Sequence, residues 1–166
     1  MYSTVIPPLQ RSLTALARIL AKAEAHCVAH KIAPEVLLQS RLFPDMLPLV
    51  RQVQLTCDFA TRMAARLSGG PVPSHPDTET TFDGLRDRIA AVQAELASIT
   101  SEALSGAANR QITFKAGQSD MTLSGADYHA HYALPQFYFH MTMAYAILRH
   151  NGIVIGKRDF MAAPEV

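Results

Sequence analysis

The sequence contains no tryptophan, only two cysteines and few charged residues, which make up 17% of its 166 positions. The formal net charge is +1, and the longest basic run is the pair Lys157-Arg158. Nucleic-acid binding needs a clustered basic surface, so this class of function is not expected. Cys27 and Cys57 each fall on an apolar helical stripe and form no Cys-x-x-Cys motif. This pattern predicts two small buried side chains rather than a disulfide framework.

Long hydrophobic runs are also missing from the chain. No uninterrupted apolar stretch approaches the roughly 18 residues that a membrane-spanning helix needs. The first residues, MYSTVIPPLQRSL, lack the basic start and the apolar core of a secretory signal peptide. We therefore expect a cytoplasmic protein without a membrane partner. The 166 residues, 49% of them hydrophobic, fit one globular domain over 1–166.

The N-terminal part of the chain shows the periodicity of an amphipathic helix. After Pro7 and Pro8, apolar residues repeat at three- and four-residue steps, which predicts a helix from about Leu9. A proline disfavours helical geometry in the residue before it, so this helix should stop before Pro34. Pro34 can then begin a short helix through Leu38.

A second long helix is predicted between Asp45 and Gly69. Asp45 is the candidate N-cap, with Pro48 in the first turn, where its missing N–H costs no hydrogen bond. Gly69, the first of two adjacent glycines, provides the stop signal. The apolar residues of this helix share one broad face, whereas Gln54 and Asp58 fall on the opposite side and are expected to be solvated.

The rest of the chain predicts two more helices and a hairpin. Thr81 is the candidate cap of a third helix, whose apolar residues follow over 82–99 with nearly ideal spacing. Between Gly106 and Gly125, the alternating runs RQITFKAG and SDMTLSG predict a β-hairpin. The segment after it should be at least partly helical, interrupted by Pro135. A fourth long helix then runs to about His150. We expect an all-α four-helix bundle with a small β-hairpin inserted before the last long helix.

Polar side chains on the apolar faces are the candidates for a functional site, because helical bundles build ligand and metal sites from inward-facing residues. His140 and Gln136 lie one turn apart on the apolar face of the fourth helix. Gln52 lies near the edge of the apolar face of the second helix. We expect these three side chains to converge on a polar pocket. Tyr138, on the other side of the fourth helix, is a further candidate for ligand contact.

His140 allows two interpretations. A neutral imidazole is a common transition-metal ligand, so His140 could hold a divalent cation such as Zn²⁺, Ni²⁺ or Mn²⁺. A core histidine can instead satisfy a structural hydrogen bond, and pairing with Gln52 would spare both groups the cost of burial without a partner. No cofactor and a divalent metal therefore both stay open. The other histidines are weaker candidates: His26 with His30, His129 with His131, and His75 in a loop.

The segments RLFPDMLPLVRQVQ, TFDGLRDRI, LPQFYFH and AYAILRHNGIVIGKRDF carry a specific resemblance. Together they resemble an uncharacterised bacterial family, domain-of-unknown-function family number nineteen ninety-three, over essentially the whole chain. That family is grouped with the DinB/YfiT-like superfamily of proposed metalloenzymes. The resemblance implies a DinB-like four-helix bundle. It also implies a link to metal-dependent thiol transferases, an isomerase and hydrolases, and a tendency to form homodimers.

The resemblance also implies a site of three histidines, one on the second helix and a His-x-x-x-His pair on the fourth. His140, which precedes Leu148-Arg149 and Gly152, matches the second member of that pair. Gln136 stands in place of the first member, and the resemblance assigns Gln52 to the second-helix position. Two functions stay open. One is a small-thiol transferase or hydrolase with a degenerate ligand set, and the other is a non-catalytic bundle, expected to be dimeric, that binds a small molecule or has a structural role.

Overall fold

The computed structural model describes residues 1–163 of the chain and shows the expected helical bundle with a two-stranded hairpin. In chain order its elements are α1 (Tyr2–His30), α2 (Pro34–Leu38), α3 (Leu49–Ser68), α4 (Phe82–Ala97), a 3-10 turn (Ala107–Asn109), β1 (Gln111–Ala116), β2 (Ser119–Ser124), α5 (Gly125–Asp127), a π-helical segment (Tyr128–Ala133), α6 (Leu134–His150) and α7 (Lys157–Phe160). The prediction of an all-α bundle with an inserted hairpin is confirmed.

Helix α1 begins at Tyr2, so the predicted start near Leu9 is wrong. Pro7 and Pro8 lie inside the helix, where each lacks one intrahelical N–H bond. The residues around them are fully buried: Ile6 is 0% and Leu9 1% exposed. Burial of these apolar side chains in the core offsets the missing hydrogen bonds. The helix ends at His30, before Pro34 as expected, and Lys31 adopts the left-handed conformation.

Helix α3 begins at Leu49 with Pro48 as its N-cap, so the predicted cap at Asp45 is wrong. The N–H of Leu49 bonds to the carbonyl of Ser40 at 2.9 Å, which ties the start of α3 to the end of α2. This non-local bond satisfies an N–H that a side-chain cap would otherwise serve. The helix ends as predicted at Gly69, whose φ of 77° is the left-handed conformation that glycine adopts without a steric penalty.

Helix α4 and the hairpin follow the predicted pattern. The Thr81 hydroxyl accepts a hydrogen bond from the N–H of Gly84 at 3.0 Å, which caps the helix. Strands β1 and β2 pair antiparallel in a register that sets Ile112 opposite Leu123. On β1, Ile112 is 4% and Phe114 5% exposed, and Thr113 between them faces solvent. The hairpin therefore packs against the helical bundle through one face of β1.

The last long helical segment runs without interruption from Gly125 to His150. Pro135 lies inside this segment, near the start of α6, and lacks one helical N–H bond, but the helix continues through it, so the expected interruption is absent. Gly125 begins the segment against the 3-10 turn, because a Cβ placed on it would lie only 1.9 Å from the carbonyl oxygen of Ala107. This contact requires a glycine.

The helices pack around a core of apolar side chains from α1, α3, α4 and α6. Helix α3 packs most extensively on α6, and α4 packs on both α1 and α3. Helix α7 lies against α1. Within residues 1–163, no helix combines the length and the apolarity needed to cross a membrane.

A buried polar network joins α3 to α4, contrary to the prediction that Gln54 and Asp58 are solvated. Their exposed fractions are 2% and 7%. Arg88 of α4, with 2% of its side chain exposed, donates to Asp58 Oδ1 at 2.5 Å and pairs with Glu79 at 3.1 Å. Gln54 donates to the other oxygen of Glu79 at 2.8 Å. The prediction failed because α4 and the loop that carries Glu79 cover this polar face.

Candidate functional site

His140 and Gln52 are in direct contact in the core, where α6 packs on α3. Their exposed fractions are 8% and 2%. His140 Nδ1 lies 2.9 Å from Gln52 Oε1, and this hydrogen bond joins residues 88 positions apart. Gln52 Nε2 donates in turn to the carbonyl of Leu47 at 3.3 Å. Nδ1 of His140 therefore has a hydrogen-bond partner in Gln52, and Gln52 is bonded in turn to the backbone just before α3.

The second ring nitrogen of His140 is uncommitted. Among residues 1–163, no other residue forms a hydrogen bond with Nε2. The atom is also not among the fully enclosed polar atoms that lack a partner. Nε2 is thus open to a hydrogen bond from a ligand or from solvent.

Aromatic rings enclose the imidazole of His140. The ring of Phe59 on α3 stacks on it, with centroids 5.5 Å apart and planes 12° apart. Phe139 meets it edge-on at 5.2 Å. Tyr132, in the π-helical segment, meets the Phe59 ring edge-on, with ring centroids 6.4 Å apart. These aromatic rings reduce the access of water to His140. The free nitrogen of its imidazole, Nε2, is then the polar atom that a ligand can reach.

A groove of about 390 Å³ runs along the start of α6, and Phe139, whose ring meets the imidazole of His140 edge-on, forms part of its lining. Its lining consists of His131, Tyr132, Pro135, Gln136 and Phe139. Gln136 is half-buried there, one helical turn before His140. No other residue in the described range hydrogen-bonds to its side chain, so its amide can both donate to and accept from a bound molecule.

Tyr138 lies elsewhere. It lines a separate groove of about 370 Å³ with residues of α1 and α7, among them Arg11 and Phe160. The structure therefore brings His140 and Gln52 into contact at the α3–α6 interface. Gln136 lies one helical turn away in the lining of the groove, and Tyr138 lies apart from all three. The direction of Tyr138 follows from its position on α6, two residues and half a turn from His140.

Burial lowers the pKa of His140, and the positive charge of Arg51 lowers it further. A histidine pKa below its ordinary value of about 6.5 means that the imidazole is neutral at pH 7. Arg51 itself is held by Gln54, at 2.7 Å, and by an ion pair with Asp77. No carboxylate contacts the imidazole among the described residues, so nothing there favours its protonated form.

The donor set does not fit a tightly held divalent metal. In the part of the chain that the structure describes, no three His, Cys, Asp or Glu side chains lie close enough to hold an ion. The site offers one imidazole and two amides, whereas catalytic zinc sites use three His, carboxylate or thiolate ligands. The Gln52 oxygen is already engaged with His140 Nδ1 at 2.9 Å. The divalent metal considered from the sequence is therefore not supported by these residues.

This donor set predicts no stabilisation by zinc. Adding Zn²⁺ in micromolar excess to metal-stripped, untagged protein should leave the melting temperature unchanged. The double variant Gln52→His with Gln136→His would present three imidazoles, two of them at the four-residue helical spacing that chelates zinc. With free zinc at a hundred times its Kd, binding would raise the free energy of unfolding of this variant by about 2.7 kcal/mol. Equal zinc-induced shifts in the two proteins would contradict the prediction.

Sequence reasoning missed the residues that shape the surroundings of His140. Phe59 was placed on the apolar face of α3 but not beside His140, and Tyr132 and Phe139 were not considered. The available signal was the aromatic density around His140, since Tyr132, Phe137, Tyr138 and Phe139 precede it within eight residues. Which of these rings face the imidazole depends on the helix packing, and the π-helical turn shifts the angular count at Tyr132.

Comparisons with known proteins agree with the fold and with the resemblance of the motifs. The sequence profile of the family described as "Domain of unknown function (DUF1993)" matches residues 1–161. A similar solved structure is that of a DinB family member protein from Shewanella denitrificans, at 1.83 Å resolution. It is 40% identical, with a TM-score of 0.92 over 99% of this chain and 93% of that one. No curated protein matches the chain. With nearly its whole length matched, the chain belongs to the DUF1993 family and has the fold of a DinB family member.

Proposed function

We propose that this protein binds a small molecule bearing a thiol or hydroxyl group in the groove beside His140, and that it does so without a metal. The observation that carries the proposal is the state of His140. Its Nδ1 is committed to Gln52 at 2.9 Å, and Nε2 has no partner among residues 1–163. A ligand hydroxyl or thiol would donate its hydrogen bond to Nε2.

The surroundings support a small, partly apolar ligand. A groove of about 390 Å³ lies at the lower end of the range of about 300–1,000 Å³ for ligand pockets. Leu47 and Phe139 border the His140–Gln52 pair and are 42% and 53% exposed, so both offer apolar surface to a ligand. Gln136 adds a polar group that can fix the orientation of the ligand. Aromatic walls with a few polar groups are typical of small-molecule sites.

The proposed activity is the one that the DinB-like resemblance implies, in a metal-free form. A neutral imidazole next to a bound thiol can act as a general base and generate the thiolate for transfer or hydrolysis. A non-catalytic binding protein is the alternative, and it uses the same pocket. The homodimer stays a prediction. Size-exclusion chromatography with light scattering tests it.

Binding is tested with a panel of small thiols, for example cysteine, glutathione and coenzyme A, each beside its S-methyl derivative. We expect at least one thiol to raise the melting temperature of the wild-type protein. Its S-methyl derivative should bind about fivefold to tenfold more weakly, because the loss of one hydrogen bond costs about 1–1.5 kcal/mol. The measurement is a thermal-shift screen followed by isothermal titration calorimetry.

The matched variants are His140→Phe, which keeps a ring of similar size but removes the acceptor, and His26→Phe on α1, far from the groove. Only His140→Phe should weaken binding of the thiol. The proposal fails if no thiol or alcohol binds at millimolar concentration, or if thiols and their S-methyl derivatives bind the wild-type protein equally. Turnover of a bound thiol would favour the enzyme over the non-catalytic alternative.

A further inference from the structure

We propose that Gln52 is a positioning residue that locks His140 in the tautomer with the proton on Nδ1, so that Nε2 always keeps a lone pair for a ligand. The choice of ligands that donate a hydrogen bond rests on the proposed function. The tautomer itself does not, because it follows from the contacts of Gln52 alone.

The orientation of the Gln52 amide is set by Leu47. The carbonyl of Leu47 can only accept, so the group that faces it at 3.3 Å must be the Nε2 amine of Gln52. The oxygen Oε1 then faces His140 at 2.9 Å. Because Oε1 can only accept, Nδ1 of His140 must be the donor. The Leu47 carbonyl therefore fixes the orientation of the Gln52 amide, and the amide in turn fixes which nitrogen of His140 carries the proton.

A rotated amide would lose the bond to Leu47, and it would keep a bond to His140 only if the imidazole moved its proton to Nε2. Turning the Gln52 side chain by half a turn would set its oxygen against the Leu47 carbonyl and its amine against His140. Gln52 is 2% exposed, so water is poorly placed to replace either partner. Its backbone is also held, since the Thr56 hydroxyl donates to the Gln52 carbonyl at 2.8 Å. The cost of leaving such buried groups unpaired makes the observed arrangement the stable one.

The fixed tautomer determines which ligands the groove accepts. A thiol, alcohol or amide N–H donates to Nε2, whereas a carboxylate or ketone would set its lone pairs against that of Nε2. When a bound thiol gives up its proton, the S–H electron pair stays on sulfur as a thiolate and the proton moves to Nε2. The Nδ1–H bond to Gln52 is kept throughout. The step therefore needs no metal, oxidant or other reactant.

The test is the protonation of each ring nitrogen, read by two-bond ¹⁵N–¹H correlation spectra of histidine-labelled protein at pH 8. His140→Phe assigns the His140 signals among those of the seven histidines. In the wild-type protein we expect Nδ1 protonated and Nε2 unprotonated. Gln52→Met removes the acceptor and should move the proton toward Nε2. Gln52→Glu keeps an acceptor and should preserve the Nδ1–H form.

Gln93→Met is the matched control. Gln93 also joins two helices through its amide, donating to Thr14 Oγ1 at 2.8 Å, but it lies between α4 and α1. This variant should leave the His140 signals unchanged. A merely structural Gln52 would lower stability without moving the proton. If Gln52→Met fails to fold, the wild-type and Gln52→Glu spectra still decide the question.

The inference is overturned by a wild-type His140 protonated on Nε2, by an unchanged tautomer in folded Gln52→Met, or by a changed one in Gln52→Glu. With the expected tautomer, thiol binding to Gln52→Met should be about fivefold to tenfold weaker than to wild type. If the tautomers behave as expected but no thiol or alcohol shifts the Nε2 signal, the positioning role of Gln52 stands and the proposed function is the part that fails.

Discussion

Replacing Arg88 by methionine is expected to lower the free energy of unfolding by about 3–5 kcal/mol, the usual loss when one partner of a buried ion pair is removed. The Arg88 side chain is 2% exposed and contacts Asp58 at 2.5 Å and Glu79 at 3.1 Å. Methionine fills similar space but cannot neutralise these carboxylates. Arg62 remains 2.8 Å from Asp58, so the loss should lie near the lower end of this range. Urea unfolding followed by circular dichroism measures it.

Arg86→Met is the control for this prediction. Arg86 lies on the same helix and also contacts two carboxylates, Glu24 at 2.7 Å and Asp83, but 26% of its side chain is exposed. Surface ion pairs contribute about 0–1 kcal/mol, so this variant should lose little. Similar losses in Arg86→Met and Arg88→Met would show that burial does not determine the energy of the Arg88 network.

The Arg88 network should also give the protein a sensitivity to acid. Burial alone would raise the pKa of Glu79, but its backbone hydrogen bond, Gln54 and Arg88 together hold that pKa below its ordinary value. A depressed carboxyl pKa contributes stability above the unfolded-state pKa of about 4.3, and this stability is lost as the pH falls through the folded-state pKa. The stability of Arg88→Met should therefore vary less between pH 5 and pH 3 than that of the wild type.

Gly125→Ala is expected to cost about 3 kcal/mol or more, at the upper end of the cost of overpacking. The new Cβ would lie 1.9 Å from the carbonyl oxygen of Ala107 and 3.0 Å from its carbonyl carbon. A backbone group cannot move aside as a flexible side chain can, so either the 3-10 turn or the start of the last helical segment must shift. Thermal unfolding measures the loss of stability, and the His140 signals report whether α6 has moved.

Gly156→Ala provides the comparison for Gly125→Ala. A Cβ on Gly156 would meet no atom within 4 Å, and the φ of −143° is open to any residue. This substitution should change the free energy of unfolding by less than about 0.5 kcal/mol. If Gly125→Ala lowers the free energy of unfolding no more than Gly156→Ala does, the 3-10 turn can move away from the new Cβ without destabilising the protein.

Local sequence signals were sufficient for most of the fold. The apolar periodicity predicted the four long helices, Thr81 and Gly69 marked one start and one end, and the alternation around Phe114 predicted the hairpin. These features depend on neighbouring residues, so a single sequence contains them. The start of α1 was wrong because the prolines were interpreted without the core that stabilises the turn around Ile6.

The errors in the polar residues have a different physical origin. Asp58 occupies the polar face of α3, and it is buried only because Arg88, 30 positions later, returns to neutralise it. Such a pairing between distant residues has no local signal. In contrast, Gln52 and His140 lie on apolar faces, and for this reason the sequence could indicate that they point into the bundle. Their role in binding stays a prediction.

The contact between Gln52 and His140 has a consequence for the order in which the protein assembles during synthesis. The two residues are 88 positions apart, and α6 follows α1, α3 and α4 in the chain. Helices α1, α3 and α4 can dock on one another while the rest is still being translated, but the main packing surface of α3 must wait for α6. Chains fold from the N-terminus as they emerge, so the apolar face of α3 is the surface that a nascent chain exposes longest. The contact between Gln52 and His140 and the packing of α3 on α6 therefore form in the same late event.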